Sequence, residues 1–171
     1  MTRRIVLRVE APAWRRRLPA AGVLLRRAAR AALAAAEPAR SAADSRGELC
    51  LVLVDDALQR RLNHDYRGRD KPTNVLSFEG APAGLGDVVL ALETIAGEAE
   101  AQGKSLADHA AHLVVHGVLH LMGYDHQTDG QARRMERLET EVLAGLGIAD
   151  PYRAAPSSPP SASMARRRLR A

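Results

Sequence analysis

The 171-residue chain has one cysteine, two lysines among its 25 basic residues, and no apolar run approaching the ~20 residues that cross a bilayer. Each scarcity removes a class of answers. A lone cysteine has no intramolecular disulfide partner, and Cys50 sits in the run Leu49-Cys50-Leu51-Val52-Leu53-Val54, where a buried, inert thiol is expected. Arg3, Arg4, Arg8 and Glu10 interrupt the first apolar segment, so no signal-peptide core is formed, and a soluble cytoplasmic protein without a membrane partner is the expectation. The near-absence of lysine means that basicity is almost all arginine. Together with abundant alanine this is a bias that GC-rich coding produces unaided, which makes composition alone weak evidence for RNA. No internal repeat is present.

What is present is enough for a core. Hydrophobic residues make up 46% of the chain, which excludes a collagen-like or wholly disordered polymer. The net charge of +5 is unevenly placed. Residues 1–46 carry eleven Arg against three acids, residues 47–152 nine basic residues against seventeen acids, and residues 153–171 five Arg and no acid. Removing 153–171 leaves the rest formally neutral, so the excess belongs to the tail rather than to one binding face.

The pattern predicts an α+β domain over residues 1–152, with a small mixed sheet of about four strands and about five helices, followed by a disordered basic Pro/Ser/Arg tail at 153–171. Strands are expected at 5–9, 49–54, 73–78 and 87–92. Helices are expected between Trp14 and Ala36, from an Asp56 cap to about Asn63, over 94–102, from Ser105 onward, and from Thr128 to about Leu143. Pro19 and Gly22 confine the regular part of the first helix to its later section, where Leu24, Leu25, Ala28, Ala32 and Leu33 make an apolar stripe.

Five of the six histidines lie within eighteen residues. On a helix His109, His112, His116 and His120 fall at about 0°, 300°, 340° and 20°, a stripe about 80° wide. Leu113, Val114, Val115, Val118, Leu119, Leu121 and Met122 occupy the rest of the circumference, so this helix must be buried and its histidines face an internal cleft. His116 and His120 can reach one metal ion, and Gly123 permits the left-handed turn that returns His126 to the same point. The spacing H-x-x-x-H-x-x-G-x-x-H equals that of metzincin proteases, except that Gly117 replaces the general-base Glu. Three imidazoles leave a tetrahedral zinc one open position, which is a catalytic arrangement, yet without the Glu peptide hydrolysis loses its ordinary proton acceptor. His109 reads as a hydrogen-bonded core histidine. His112 stands behind His116 or along the cleft wall, and His64 is undecided.

The stretch His112-Leu-Val-Val-His116-Gly-Val-Leu-His120-Leu-Met-Gly-Tyr-Asp-His126 resembles the signature of the YbeY family of bacterial metal-dependent endoribonucleases. A second block, Asn63 through Tyr66-Arg67 and Asp70-Lys71-Pro72-Thr73-Asn74 to Phe78, resembles the same family. So do Gly86-Asp87-Val88-Val89 and the closing Met135-Glu136 to Tyr152. The resemblance covers roughly residues 47–152, with a short 79–85 loop as a departure. It implies one Zn²⁺ on His116, His120 and His126, and catalytic roles for His116 and for Arg67, whose planar guanidinium suits a phosphate clamp. The residues alone leave both that clamp and a surface salt bridge to Asp65 or Asp70 open. His112 and Asp87 are the residues expected behind the ligands, and His112, Asp87 or the RNA 2′-hydroxyl are the candidates for proton acceptor. The implied activity is single-strand-specific cleavage of RNA in ribosomal RNA processing, at the 3′ end of 16S rRNA, and in ribosome quality control. Implied partners are rRNA and the small ribosomal subunit with its assembly factors. Two other readings stay open: a metallohydrolase of peptides or small molecules, and a non-catalytic assembly factor with a structural metal. The Arg-rich first helix and Arg166-Arg167-Arg168-Leu169-Arg170 are auxiliary phosphate contacts in this picture.

Overall fold

The computed structural model describes residues 3–36, 47–71, 73–80 and 84–153; the predicted tail, Arg153 apart, and the 41–46 connector lie outside them. Four strands, β1 (Ile5–Val9), β2 (Leu49–Val54), β3 (Val75–Glu79) and β4 (Gly86–Ala91), form one sheet in the order β1-β2-β4-β3. β1, β2 and β4 run parallel, and β3 pairs antiparallel with β4 at one edge. The two inner strands read Leu-Cys-Leu-Val-Leu-Val and Gly-Asp-Val-Val-Leu-Ala because both of their faces are largely covered.

Six helices are seen among the described residues, one more than expected: α1 (Ala13–Arg17), α2 (Ala21–Ala36), α3 (Asp56–Arg67), α4 (Leu92–Ala101), α5 (Leu106–Leu121) and α6 (Asp129–Gly145). Pro19 accounts for the additional one, since its ring cannot continue a helix and splits the first helical stretch after Arg17. Gly22, by contrast, sits inside α2, whose buried stripe is Leu25, Ala28, Ala29, Ala32, Leu33 and Ala36. The α3 cap is Asp55 rather than Asp56: its side chain accepts from the Leu58 N–H at 2.8 Å. Asp56 is instead turned outward to Thr94, accepting from its N–H and its hydroxyl at 3.0 and 2.7 Å, which ties α3 to the start of α4. α3 also runs a turn past Asn63, ending where Gly68 takes φ +67°.

Side chains on opposite faces of the sheet meet different partners. Val88 and Ser77 point to α5: the Ser77 hydroxyl donates to the Gly117 carbonyl at 3.1 Å. A Cβ added at Gly117 would stand 2.7 Å from Val88 Cγ1, so α5 lies against β4 with no room for a side chain at that position. The other face carries Val54, Leu76 and Val89, packed against Leu58 and Leu62 of α3 and against Phe78. Strand alternation puts Cys50 and Asp87, which are register partners, on this second face. Cys50 is therefore half-buried rather than buried. Partial burial, then the neighbouring Asp87 carboxylate, raises its pKa and keeps the thiol protonated.

Helix α5 is the centre of the fold. Every residue from His109 to Leu119 is buried, enclosed by α2, α4, α6, β3 and β4. A histidine stripe on such a helix has no bulk water to hydrogen-bond, so each imidazole must find a partner inside the molecule.

Candidate metal centre

The N-terminus of α5 is fixed by Ser105, whose hydroxyl accepts from the Asp108 N–H at 3.0 Å. One turn later the fully buried His109 approaches Glu98 of α4, Nε2 to Oε2, at 2.8 Å. Glu98 also accepts from the Asn74 amide at 3.1 and 3.3 Å. His109 thus belongs to an internal brace between α4, α5 and the segment entering β3.

The C-terminal half of the stripe is built differently. α5 ends at Leu121, Gly123 adopts φ +97°, and the Tyr124 N–H donates to the Leu119 carbonyl at 3.0 Å. The chain folds back so that His126 faces the last turn of the helix. The His116, His120 and His126 ring centroids are separated by 4.7, 4.9 and 5.7 Å. One nitrogen of each lies within 4.8 Å of the others. In all three, Nε2 is buried with no hydrogen-bond partner. Three converging buried lone pairs left unpaired carry an energetic cost that a cation removes, and the set fits a metal ion on that observation.

The remaining side of His116 is held by a residue the sequence reading did not single out. Glu139 of α6, fully buried, accepts from His116 Nδ1 through Oε1 and from the Tyr152 hydroxyl through Oε2. His112 Nε2 lies 3.6 Å from the same Oε2 and 3.4 Å from the Tyr152 hydroxyl. Burial would raise the Glu139 pKa, but the hydrogen bonds from His112 and His116 outweigh it and hold the carboxyl down at about 2. An ionised acceptor there fixes the proton of His116 on Nδ1 and directs the Nε2 lone pair at the other two imidazoles. A signal for Glu139 was available: it occupies the buried stripe of α6 with Ala132, Met135, Val142 and Leu143, and an acid in such a stripe needs partners.

Burial first, then the neighbouring His116 and His126, pushes the His120 pKa down to about 4. Burial likewise lowers that of His112. Both are neutral near pH 7, which leaves His120 able to ligate. Burial and the Glu139 charge raise the Tyr152 pKa, so its hydroxyl keeps its proton and acts as a donor.

The other predicted residues lie elsewhere. Asp87 is exposed on the sheet face away from α5 and stands behind none of the three histidines. Arg67 is exposed at the C-terminal end of α3. Asp70, one of the acids weighed as its partner, gives both oxygens to Arg60 at 2.8 and 2.9 Å, and Asp65 is 3.2 Å from His64. Beside Arg67, the Tyr66 ring meets Phe78 edge-on at 5.3 Å. A cavity of about 580 Å³ opens beside the histidines on the α6 side, lined by His112, His116, His126 and Tyr152, and neither Arg67 nor Asp87 lines it.

Residues 20–147 match the family model described as Endoribonuclease YbeY, a span that takes in α2 as well as the histidine motif. The chain is 51% identical over 163 residues to the Endoribonuclease YbeY of Paramagnetospirillum magneticum, covering 89% of this chain and 97% of that protein. It is 55% identical over 149 residues to that of Alkalilimnicola ehrlichii, covering 82% and 86%. Its fold is similar to the solution structure of a Thermotoga maritima protein at 20% identity, with a TM-score of 0.55 over 87% of this chain and 99% of that one. A His₃ cluster with a buried carboxylate behind its first member, the hinge glycine between its second and third members, and identity at this level over most of the chain have one reading: the chain belongs to the YbeY endoribonuclease family.

Proposed function

We propose that this protein is a metal-dependent endoribonuclease that cleaves single-stranded RNA in ribosomal RNA processing, with one Zn²⁺ on His116, His120 and His126. The carrying observation is the trio of buried, unpartnered Nε2 atoms. An all-imidazole donor set with no thiolate and no carboxylate suits zinc. A zinc ion held there supplies Lewis acidity toward phosphoryl oxygen and lowers the pKa of water to about 7. The protein's own residues do the rest. Glu139 holds His116 in its Nδ1–H tautomer, and the Tyr152 hydroxyl holds Glu139. Both Glu139 oxygens are engaged, one by His116 and one by Tyr152, so Glu139 acts by orienting His116. Of the protein groups considered as acceptor, His112 lines the cavity beside His116 and has a buried, unpartnered Nδ1, whereas Asp87 is on the far face of the sheet. The role of Arg67 as a phosphate clamp rests on its place in the family motif and on guanidinium chemistry.

The peptide-hydrolase reading meets a steric obstacle. The position that would carry a catalytic Glu is Gly117, and a side chain there would run into Val88. A small ribosomal subunit as the site of action and a cytoplasmic location belong with this proposal. No helix among the described residues is long and apolar enough to cross a membrane.

Zinc-loaded protein incubated with a single-stranded oligoribonucleotide, its duplex and a peptide library tests the proposal. Cleavage of the single strand alone, lost on chelation and in His120→Ala, is the expected outcome. Peptide cleavage with RNA left intact would overturn it.

A further inference from the structure

The cavity beside the histidines has a shape and charge that the chemistry of cleavage does not explain. Its volume of about 580 Å³ is in the range of small-ligand sites and too small for a duplex. Part of its wall is apolar, from Ala132 and Met135 of α6 and from Pro151. Its charged lining leans acidic, with Asp129, Glu136 and Glu139 against Lys104 and Arg133. A second phosphate would gain little from such a lining, while an uncharged planar heterocycle would be accommodated.

Two further observations point to a ligand of that kind. His112, only 2% exposed, lines the cavity, and its imidazole meets the Tyr152 ring there. Tyr152 lines it too and is 40% exposed as a residue, although its hydroxyl is anchored on Glu139 and its ring meets His112 edge-on at 5.5 Å. A held aromatic ring with open surface is a stacking platform. His116 and His126 line the same cavity, so whatever occupies it adjoins the metal ligands.

We infer that this cavity is a nucleobase subsite, receiving the base of a nucleotide next to the phosphate that is cleaved. The inference rests on the endoribonuclease reading and deepens it. A base can enter only when unpaired and unstacked, which turns single-strand preference into a consequence of the cavity instead of an added property.

The test uses the full chain and two readouts. First, binding of adenosine and uridine is followed by equilibrium dialysis, with Ala132→Phe to fill the cavity and Gln102→Ala, at its exposed rim, as a milder change. Second, single-stranded oligoribonucleotides with one abasic ribose at successive positions are scanned for cleavage. The expected result is nucleoside binding that Ala132→Phe weakens roughly 5- to 150-fold, the worth of one stacked base. One abasic position should raise KM by a similar factor, and on that substrate Ala132→Phe should make no further difference while zinc content stays at one per chain. Nucleoside binding that is absent, indifferent to both substitutions, or seen only after removal of residues 154–171 overturns the subsite, the last because the chain's own tail would then be its occupant. Loss of RNA cleavage in the unaltered protein would count against the endoribonuclease reading, and nucleoside binding, which needs no cleavage, separates the two failures.

Discussion

Two buried histidines on one helix, His109 and His116, each meet a carboxylate, and their fates differ. His109 pairs with Glu98, whose side chain is 30% exposed and shared with Asn74; its other nitrogen is alone. His116 pairs with Glu139, which is fully buried, and its other nitrogen converges with those of His120 and His126. A histidine–carboxylate pair in a core is therefore not a site. What makes one is convergence of the free nitrogens, and that depends on the turn at Gly123 and on the return of His126, both beyond the helix.

The sharpest way to break this comparison is to remove a ligand. His120→Ala should weaken zinc binding by more than about 100-fold, beyond the range seen for residues that only back a ligand, and abolish RNA cleavage; metal analysis after dialysis checks it. Glu139→Gln keeps the shape and removes the charge behind His116. Zinc affinity should then fall about 10- to 100-fold, read by competition with a chromophoric chelator, with cleavage recovering at excess zinc. Gly117→Ala attacks the seat of the helix: the added Cβ at 2.7 Å from Val88 should cost about 1–3 kcal/mol in chemical denaturation. Smallest of all, Glu98→Gln should lower stability by about 1 kcal/mol and leave zinc affinity unchanged within twofold, because its histidine converges with nothing.

Within the metal centre, acid acts on two groups in separate windows. The folded pKa of His120, about 4, lies below its ordinary 6.5, so the unfolded chain binds that proton first. The metal-free protein should lose this contribution as pH falls from about 6.5 to 4. Glu139, held at about 2 against an ordinary 4.5, contributes stability above 4.5 that is lost between 4.5 and 2. Melting curves across pH should show the upper part of the acid slope flattened in His120→Ala and the lower part flattened in Glu139→Gln. A single slope unchanged by both would contradict the assignment.

The histidine stripe was legible because a 3.6-residue period and a hinge glycine are local properties. So were the helix starts at Ser105 and Thr128, each observed with its side chain accepting the backbone N–H three residues on. Glu139 was not, because its partners lie 23 and 13 residues away along the chain and only tertiary packing joins them. The position of Asp87 also turns on a local detail. It sits one residue before Val88, which touches α5, and in a strand one residue is enough to face the opposite side. The cap of α3 was misplaced by one residue for a similar reason: Asp55 and Asp56 are equivalent in sequence, and Thr94 of another helix decides between them.

Two imidazoles of α5, His116 and His120, hold one ion together with His126 beyond the helix, and His109 and His112 do not ligate it. Zinc stoichiometry and affinity should be measured for the unaltered chain and for His109→Ala, His112→Ala, His116→Ala, His120→Ala and His126→Ala. The account predicts one tightly bound ion per chain, lost in each of the last three variants, retained at full affinity in His109→Ala, and retained in His112→Ala with affinity reduced less than in any ligand variant. Tight one-to-one binding that survives the loss of His116, His120 or His126 would contradict it.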